Sequence, residues 1–117
     1  MQGSICRFYV HENARHQRRL LWEWLLEQAN HLGIGGGSAF RTMASFGRHH
    51  VLHENHFFEL AGTLTVLVEF IVTEEETKNL LQLLREEKIR LLYALIPVQF
   101  AVLNPDSDDP PTETGGE

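Results

Sequence analysis

Four of the seven histidines, His49, His50, His53 and His56, fall within one short stretch. Neutral imidazole is the commonest nitrogen ligand for zinc and copper, and His49 with His53, or His53 with His56, would converge if that stretch became helical. Glu54 or Glu59 could add an oxygen ligand. The plainer account is a set of solvated loop histidines that titrate near neutrality and repel one another when charged. A second chemistry lies in Gly35-Gly36-Gly37-Ser38, where unhindered backbone N–H groups could form an anion-binding nest for a phosphate. No Gly-Lys-Ser or Gly-Lys-Thr follows, so it is not a P-loop, and a strand rather than a helix comes next, so it is not a dinucleotide fingerprint. Its plainer account is a helix stop with a flexible connection. Glu12, Glu23 and Glu69 are the carboxylates that would do acid–base work, but they are scattered over two strands and a helix, and no Ser-His-Asp or Cys-His constellation has a local setting. The expectation is a protein that is not an enzyme.

The elements that must position these groups follow from period. Residues 5–11 alternate, with Cys6, Phe8 and Val10 on one face and Arg7, Tyr9 and His11 on the other, as in a half-covered strand. From Asn13 to Leu32 the apolar residues Leu21, Trp24, Leu25, Ala29 and Leu32 recur at helical spacing, and Gly33 stands where helices end in a left-handed residue. Trp22 falls off that stripe and is a candidate interface anchor. Ser38–Phe46 reads as a second strand and Leu64–Val72 as a third, separated by a long loop at about 47–63 that carries the histidines. Thr73-Glu74-Glu75-Glu76 has the form of a capping box and opens a second helix reaching about Glu87. Leu91–Leu103 is the last strand, with Ile96, Val98, Phe100 and Val102 expected inward and Pro97 marking an edge or bulge.

The predicted fold class is therefore α+β, a ferredoxin-like βαββαβ sandwich with two helices on one face of a four-stranded antiparallel sheet. Its open face is expected to carry Arg7, Tyr9, Arg41, Met43, Leu67, Glu69, Ile71, Leu95, Gln99 and Ala101, too apolar to stay bare. A second chain should cover it. Arg41 and Glu69 share a parity in this reading and would form an ion pair that holds subunits together.

Composition narrows the function classes. The 117 residues are 43% hydrophobic and 22% charged, which fits one folded domain. The formal charge of −6 comes largely from the last fourteen residues, where Asp106, Asp108, Asp109, Glu113 and Glu117 meet no Lys or Arg. Residues 1–103 are thus near balance, with no basic footprint for nucleic acid. Residues 104–117 read as a disordered acidic tail beyond the 1–103 domain. The single cysteine, Cys6, excludes an internal disulfide and a thiolate-rich zinc site; its parity points it into the core as an inert thiol. No apolar run approaches a membrane span and no signal core is visible, so a cytoplasmic location without membrane insertion is expected.

The order of elements, the block Leu32-Gly33-Ile34-Gly35-Gly36-Gly37-Ser38, the segment Phe46-Gly47-Arg48 followed by His53, and Glu69 in the third strand resemble the PII-like proteins catalogued as domain of unknown function 190. That family is similar to the nitrogen-regulatory PII signalling proteins, and the resemblance covers about residues 5–103. It implies a homotrimer with open sheet faces packed toward the three-fold axis, adenine nucleotides in intersubunit clefts, and a long mobile loop that meets target proteins. Carried over by residue, Gly36 and Ser38 match the turn where backbone meets a nucleotide, with Gly37 between them. Arg41 matches a basic strand position, Phe46 and Gly47 the start of the loop, and Arg48 lies beside them. His53, Glu69, Glu12 and Glu23 match further family positions. The chain departs from the family pattern where glycine is usual, at His11, Arg18, Thr42 and Ser45, and where proline is usual, at Leu20 and Thr65. Three readings follow: a PII-like regulator of an adenine nucleotide, a zinc- or copper-responsive trimer using the loop histidines, and a ligand-free trimeric adaptor for a membrane transporter.

Overall fold

A computed structural model describes residues 1–45 and 64–106. Phe46, Gly47, Arg48, the four clustered histidines and all but the start of the acidic tail lie outside the described residues. The alternating N-terminal stretch forms β1 (Gln2–His11), and the β-branched run after residue 64 forms β5 (Thr65–Val72). These two strands pair antiparallel at the centre of the sheet, with Cys6 opposite Phe70, Phe8 opposite Val68 and Val10 opposite Val66. Opposed residues share a face. All six are buried, and the Phe8 and Phe70 rings meet edge-on with centroids 6.3 Å apart. Each such side chain contributes about 1.5–3 kcal/mol by leaving water. The edge strands are β4 (Gly37–Arg41), beside β5, and β6 (Leu92–Gln99), beside β1.

Two helices cover the Cys6 face. Helix α1 (Leu21–His31) buries Leu21, Trp24, Leu25 and Ala29, the stripe read from spacing. Leu32 stays 40% exposed because it is the C-cap. Gly33 follows at φ +87°, donates to the Asn30 carbonyl, and lets the Ile34 N–H reach the Ala29 carbonyl, which is a Schellman closure with Ile34 buried beneath it. Helix α2 (Glu74–Glu86) starts at the expected capping box: the Glu76 N–H donates to Thr73 Oγ1 at 3.2 Å and the Thr73 N–H to Glu76 Oε1 at 2.9 Å. Trp22 is half-buried and packs against the core cluster.

Three expectations are corrected. The first helix starts at Leu21, not near Asn13, because residues 15–20 fold into a small hairpin, β2 (Arg15–His16) with β3 (Arg19–Leu20). Gln17 and Arg18 turn it with φ +52° and +67°, the signs a two-residue type I′ hairpin requires. The second strand ends at Arg41 rather than Phe46. Facing on the edge strands is also reversed. Leu95 lies opposite Cys6 and Tyr93 opposite Phe8, so they sit on the helix side, while Ile96 lies opposite Ile5 and Val98 opposite Gly3 on the open side.

Candidate functional site

Register settles what each charged residue can touch. Arg7 lies opposite Glu69, and the Arg7 Nε donates to Glu69 Oε2 at 2.5 Å on the open face. Hydrogen bonding to Tyr9, then to Glu69, holds the Arg7 guanidinium more firmly protonated than usual. On β4, Ser38 lies opposite Glu69 and Phe40 opposite Leu67, so these two share the open face. Arg41 lies opposite Val66, on the helix side, and pairs through Nη2 with Glu12 Oε1 at 2.8 Å. The expected Arg41–Glu69 pair therefore does not form: the two lie on opposite faces of the sheet. The open face consists of Ile5, Tyr9, Phe40, Leu67, Ile71, Leu92 and Ile96 around the Arg7–Glu69 pair, with Ala94 and Val98 in place of the expected Leu95 and Gln99. Phe40 is 52% exposed and Ile71 49%.

The three candidate carboxylates do not share a centre. Glu69 is on the open face, Glu12 on the helix side, and Glu23 is exposed on the first turn of α1. Cys6 is fully buried and burial pushes its thiol up to about 11, an inert group as its parity predicted.

The glycine turn behaves differently from a nest. Among the described glycines only Gly33 has positive φ, so Gly35, Gly36 and Gly37 lack the left-handed member that an alternating nest uses. Gly37 has a packing reason instead. A Cβ there would come within 2.4 Å of the Phe70 ring. A Cβ at Gly35 would meet nothing within 4 Å. The expected binding residues Gly36, Gly37, Ser38 and Arg41 thus run along the edge strand and its approach, with Ser38 and Arg41 on opposite faces, rather than closing round one point.

What the fold does gather is a polar cluster where the sheet gives way to the connection 46–63. Arg41 ends β4, and Thr42 then binds the Thr65 carbonyl twice, through its N–H and its Oγ1, each at 2.9 Å. Ser45 Oγ and Thr65 Oγ1 are 2.9 Å apart. Glu12, just past β1, donates its N–H to the Leu64 carbonyl at 2.8 Å. Its side chain continues the Cys6-Phe8-Val10 parity and is only 9% exposed, whereas Arg41 is 70% exposed. Sequence matching marks Glu12 and Arg41 separately. Their pairing is hidden there because it crosses from β4 over β5 to the end of β1, a relation that only the register supplies. Among the described residues no group of three or more His, Cys, Asp or Glu side chains could hold a metal, and no helix is long and apolar enough to cross a membrane.

Comparison with known proteins gives consistent findings. A family model described as an uncharacterized ACR, domain of unknown function 190, matches residues 3–100. A UPF0166 protein of Aquifex aeolicus (strain VF5) is 28% identical over 82 residues, 70% of this chain and 78% of that one. The crystal structure of a protein from Thermus thermophilus, provisionally described as a PII-like signaling protein, superposes with a TM-score of 0.57 at 20% identity, covering 84% of this chain and 88% of the other.

Proposed function

Because the chain belongs to the family of domain of unknown function 190, we propose that it is a non-enzymatic, PII-like signalling subunit that assembles as a homotrimer and binds an adenine nucleotide in clefts between subunits. The observation that carries the ligand half is the Arg41 guanidinium. It is 70% exposed on the last residue of an edge strand, from which Thr42 to Ser45 lead to the connection 46–63. An arginine in that place offers a planar fork of N–H donors to a phosphate. The assembly half is supported by the apolar open face, where Phe40, Ile71 and Leu92 remain 44–52% exposed in one subunit. Contact of three such faces would put each β4 edge at a seam. The signal follows from differential affinity: a nucleotide that binds one arrangement of the 46–63 connection better than another shifts the population toward it, and a target protein or membrane transporter reads the result. The protein acts in the cytoplasm in this reading.

Titration calorimetry of the full chain with ATP, ADP, AMP and cyclic dinucleotides tests it. Saturable heat with an adenine nucleotide, lost in Arg41→Met, is the expected result. No heat with any of them removes the ligand half.

A further inference from the structure

Glu12 is the one buried side-chain oxygen site among the described residues that no aligned donor satisfies. Its Oε1 is sealed from solvent and accepts no hydrogen bond of acceptable geometry, although Arg41 Nη2 stands 2.8 Å away. An ionised carboxylate needs donors on its oxygens or a compensating charge, and loses far more than an exposed one when it has neither. The two partners are placed very unequally. Arg41, at 70% exposed, has water and any passing anion as alternatives; Glu12, at 9%, has none on its sheltered oxygen. Drawing Arg41 away therefore costs the pair little at the arginine and much at the glutamate.

We propose that Glu12 is an internal competitor for Arg41: it holds the guanidinium in the unliganded subunit, and a phosphate-bearing ligand must displace it to bind. The inference rests on the reading that Arg41 receives the anionic part of the ligand, and deepens it by naming the group that sets the threshold. The backbone permits the exchange. Thr42 is fixed to the Thr65 carbonyl by both its N–H and its hydroxyl, and Ser45 is tied to Thr65 Oγ1, so the Arg41 side chain swings from a strand end that stays in place. Occupancy then changes the charge balance at the root of both arms of the 46–63 connection, since Glu12 binds Leu64 through its backbone. The ligand would thus be sensed as a carboxylate that has lost its partner.

Calorimetry with ATP and with inorganic pyrophosphate as probes, on full-length wild type, Glu12→Gln, Arg41→Met and the double variant, tests this. Glu12→Gln keeps the shape while removing the competing charge, and its affinity for the probes should rise about tenfold, a gain of roughly 1.4 kcal/mol. The gain should vanish in the Glu12→Gln, Arg41→Met double variant, which shows that it passes through Arg41. Glu12→Asp, whose shorter carboxylate loosens the pair, should fall between wild type and Glu12→Gln and serves if the neutral variant folds poorly. Tighter binding by Glu12→Gln when wild type binds too weakly to measure also supports the proposal. Equal or weaker binding by Glu12→Gln, beside a wild type that binds ATP, overturns it and leaves the nucleotide reading standing. Absence of binding in every chain overturns both.

Discussion

Cys6 shows how one side chain reports the packing around it. It lies on the helix side of β1, opposite Phe70 on one neighbour and Leu95 on the other, with no exposed surface. A thiolate there would lose its hydration without gaining a partner, which is why the group is pushed from 9.0 to about 11. Below the unfolded value both states keep the proton. Between that value and about 11 the unfolded chain releases it while the folded chain retains it, so this contribution to stability falls as pH rises and is lost above the folded value. Urea unfolding of wild type and Cys6→Ala from pH 8 to pH 11.5 should show wild type losing on the order of 2 kcal/mol more than the variant over that range. A constant gap between the two would mean that the thiol titrates normally. Treated with a thiol reagent at pH 8, native protein should stay unmodified until it unfolds. Gly37 teaches the complementary lesson. Its type suggested a ligand, yet its missing Cβ is the space taken by the Phe70 ring.

At the scale of elements, the hairpin turn at Gln17-Arg18 and the end of α2 at Lys88 both place non-glycine residues in left-handed conformations. Lys88 follows the C-cap Glu87 with φ +57°, donates to the Arg85 carbonyl, and lets the Ile89 N–H reach the Leu84 carbonyl. This is the closure that Gly33 makes after α1, built with a residue whose Cβ opposes it. Lys88→Gly relieves that strain but gives the unfolded chain more freedom, so the net gain should be about 0.5–1 kcal/mol, read as a rise of several degrees in Tm. Lys88→Val should lower Tm. A glycine variant that melts below wild type would rule out the left-handed cap. Such turns also mark what the sequence could not display. Thr73-x-x-Glu76 and Leu32-Gly33 were legible because cap chemistry is local and uses favoured residues. The β2–β3 hairpin was not, since Gln17 and Arg18 occupy positions where Asn-Gly is usual, and the polar run 15–19 has no apolar alternation to mark a strand. It is held by distant partners instead: His16 Nε2 lies 2.8 Å from Glu87 Oε1, Gln17 Nε2 donates to the same oxygen at 3.1 Å, and the His16 ring meets Trp24 edge-on. On β6 the residues Tyr93 to Val98 are apolar on both parities, so alternation could not choose a face. The Arg41–Glu12 pair was obscured for the same reason, because β4 has no clear alternation to set Arg41 on one side or the other.

For the whole molecule, the decisive asymmetry is between the two faces of one sheet. The helix side is closed by α1 and α2 over β1, β4 and β5, whereas the other side presents Ile5, Tyr9, Leu67, Ile71, Leu92 and Ile96 in neighbouring register positions with Phe40 beside them. Water is a poor covering for so continuous an apolar surface. At its centre the Arg7–Glu69 pair retains side-chain exposures of 30% and 22%. An ion pair there adds little attraction when covered, since desolvation offsets it, but an approaching copy that left either charge unpaired would be rejected. In the proposed trimer the face would combine a non-directional drive to associate with a polar element that selects the register. Ile71, opposite Ile5 and 49% exposed, is the position at which a charge should disrupt the surface while leaving the buried side of the sheet untouched. Sedimentation and light scattering should give three subunits for wild type at micromolar concentration. Ile71→Glu should shift the species toward one subunit, with the apparent dissociation constant raised at least about a hundredfold, or about 2.7 kcal/mol. Its far-ultraviolet circular dichroism should be unchanged. Leu32→Glu, at the exposed C-cap of α1, should keep the wild-type mass. Retention of full assembly by folded Ile71→Glu would place the subunit contacts on another surface, and with them the seam at which Arg41 would meet its ligand.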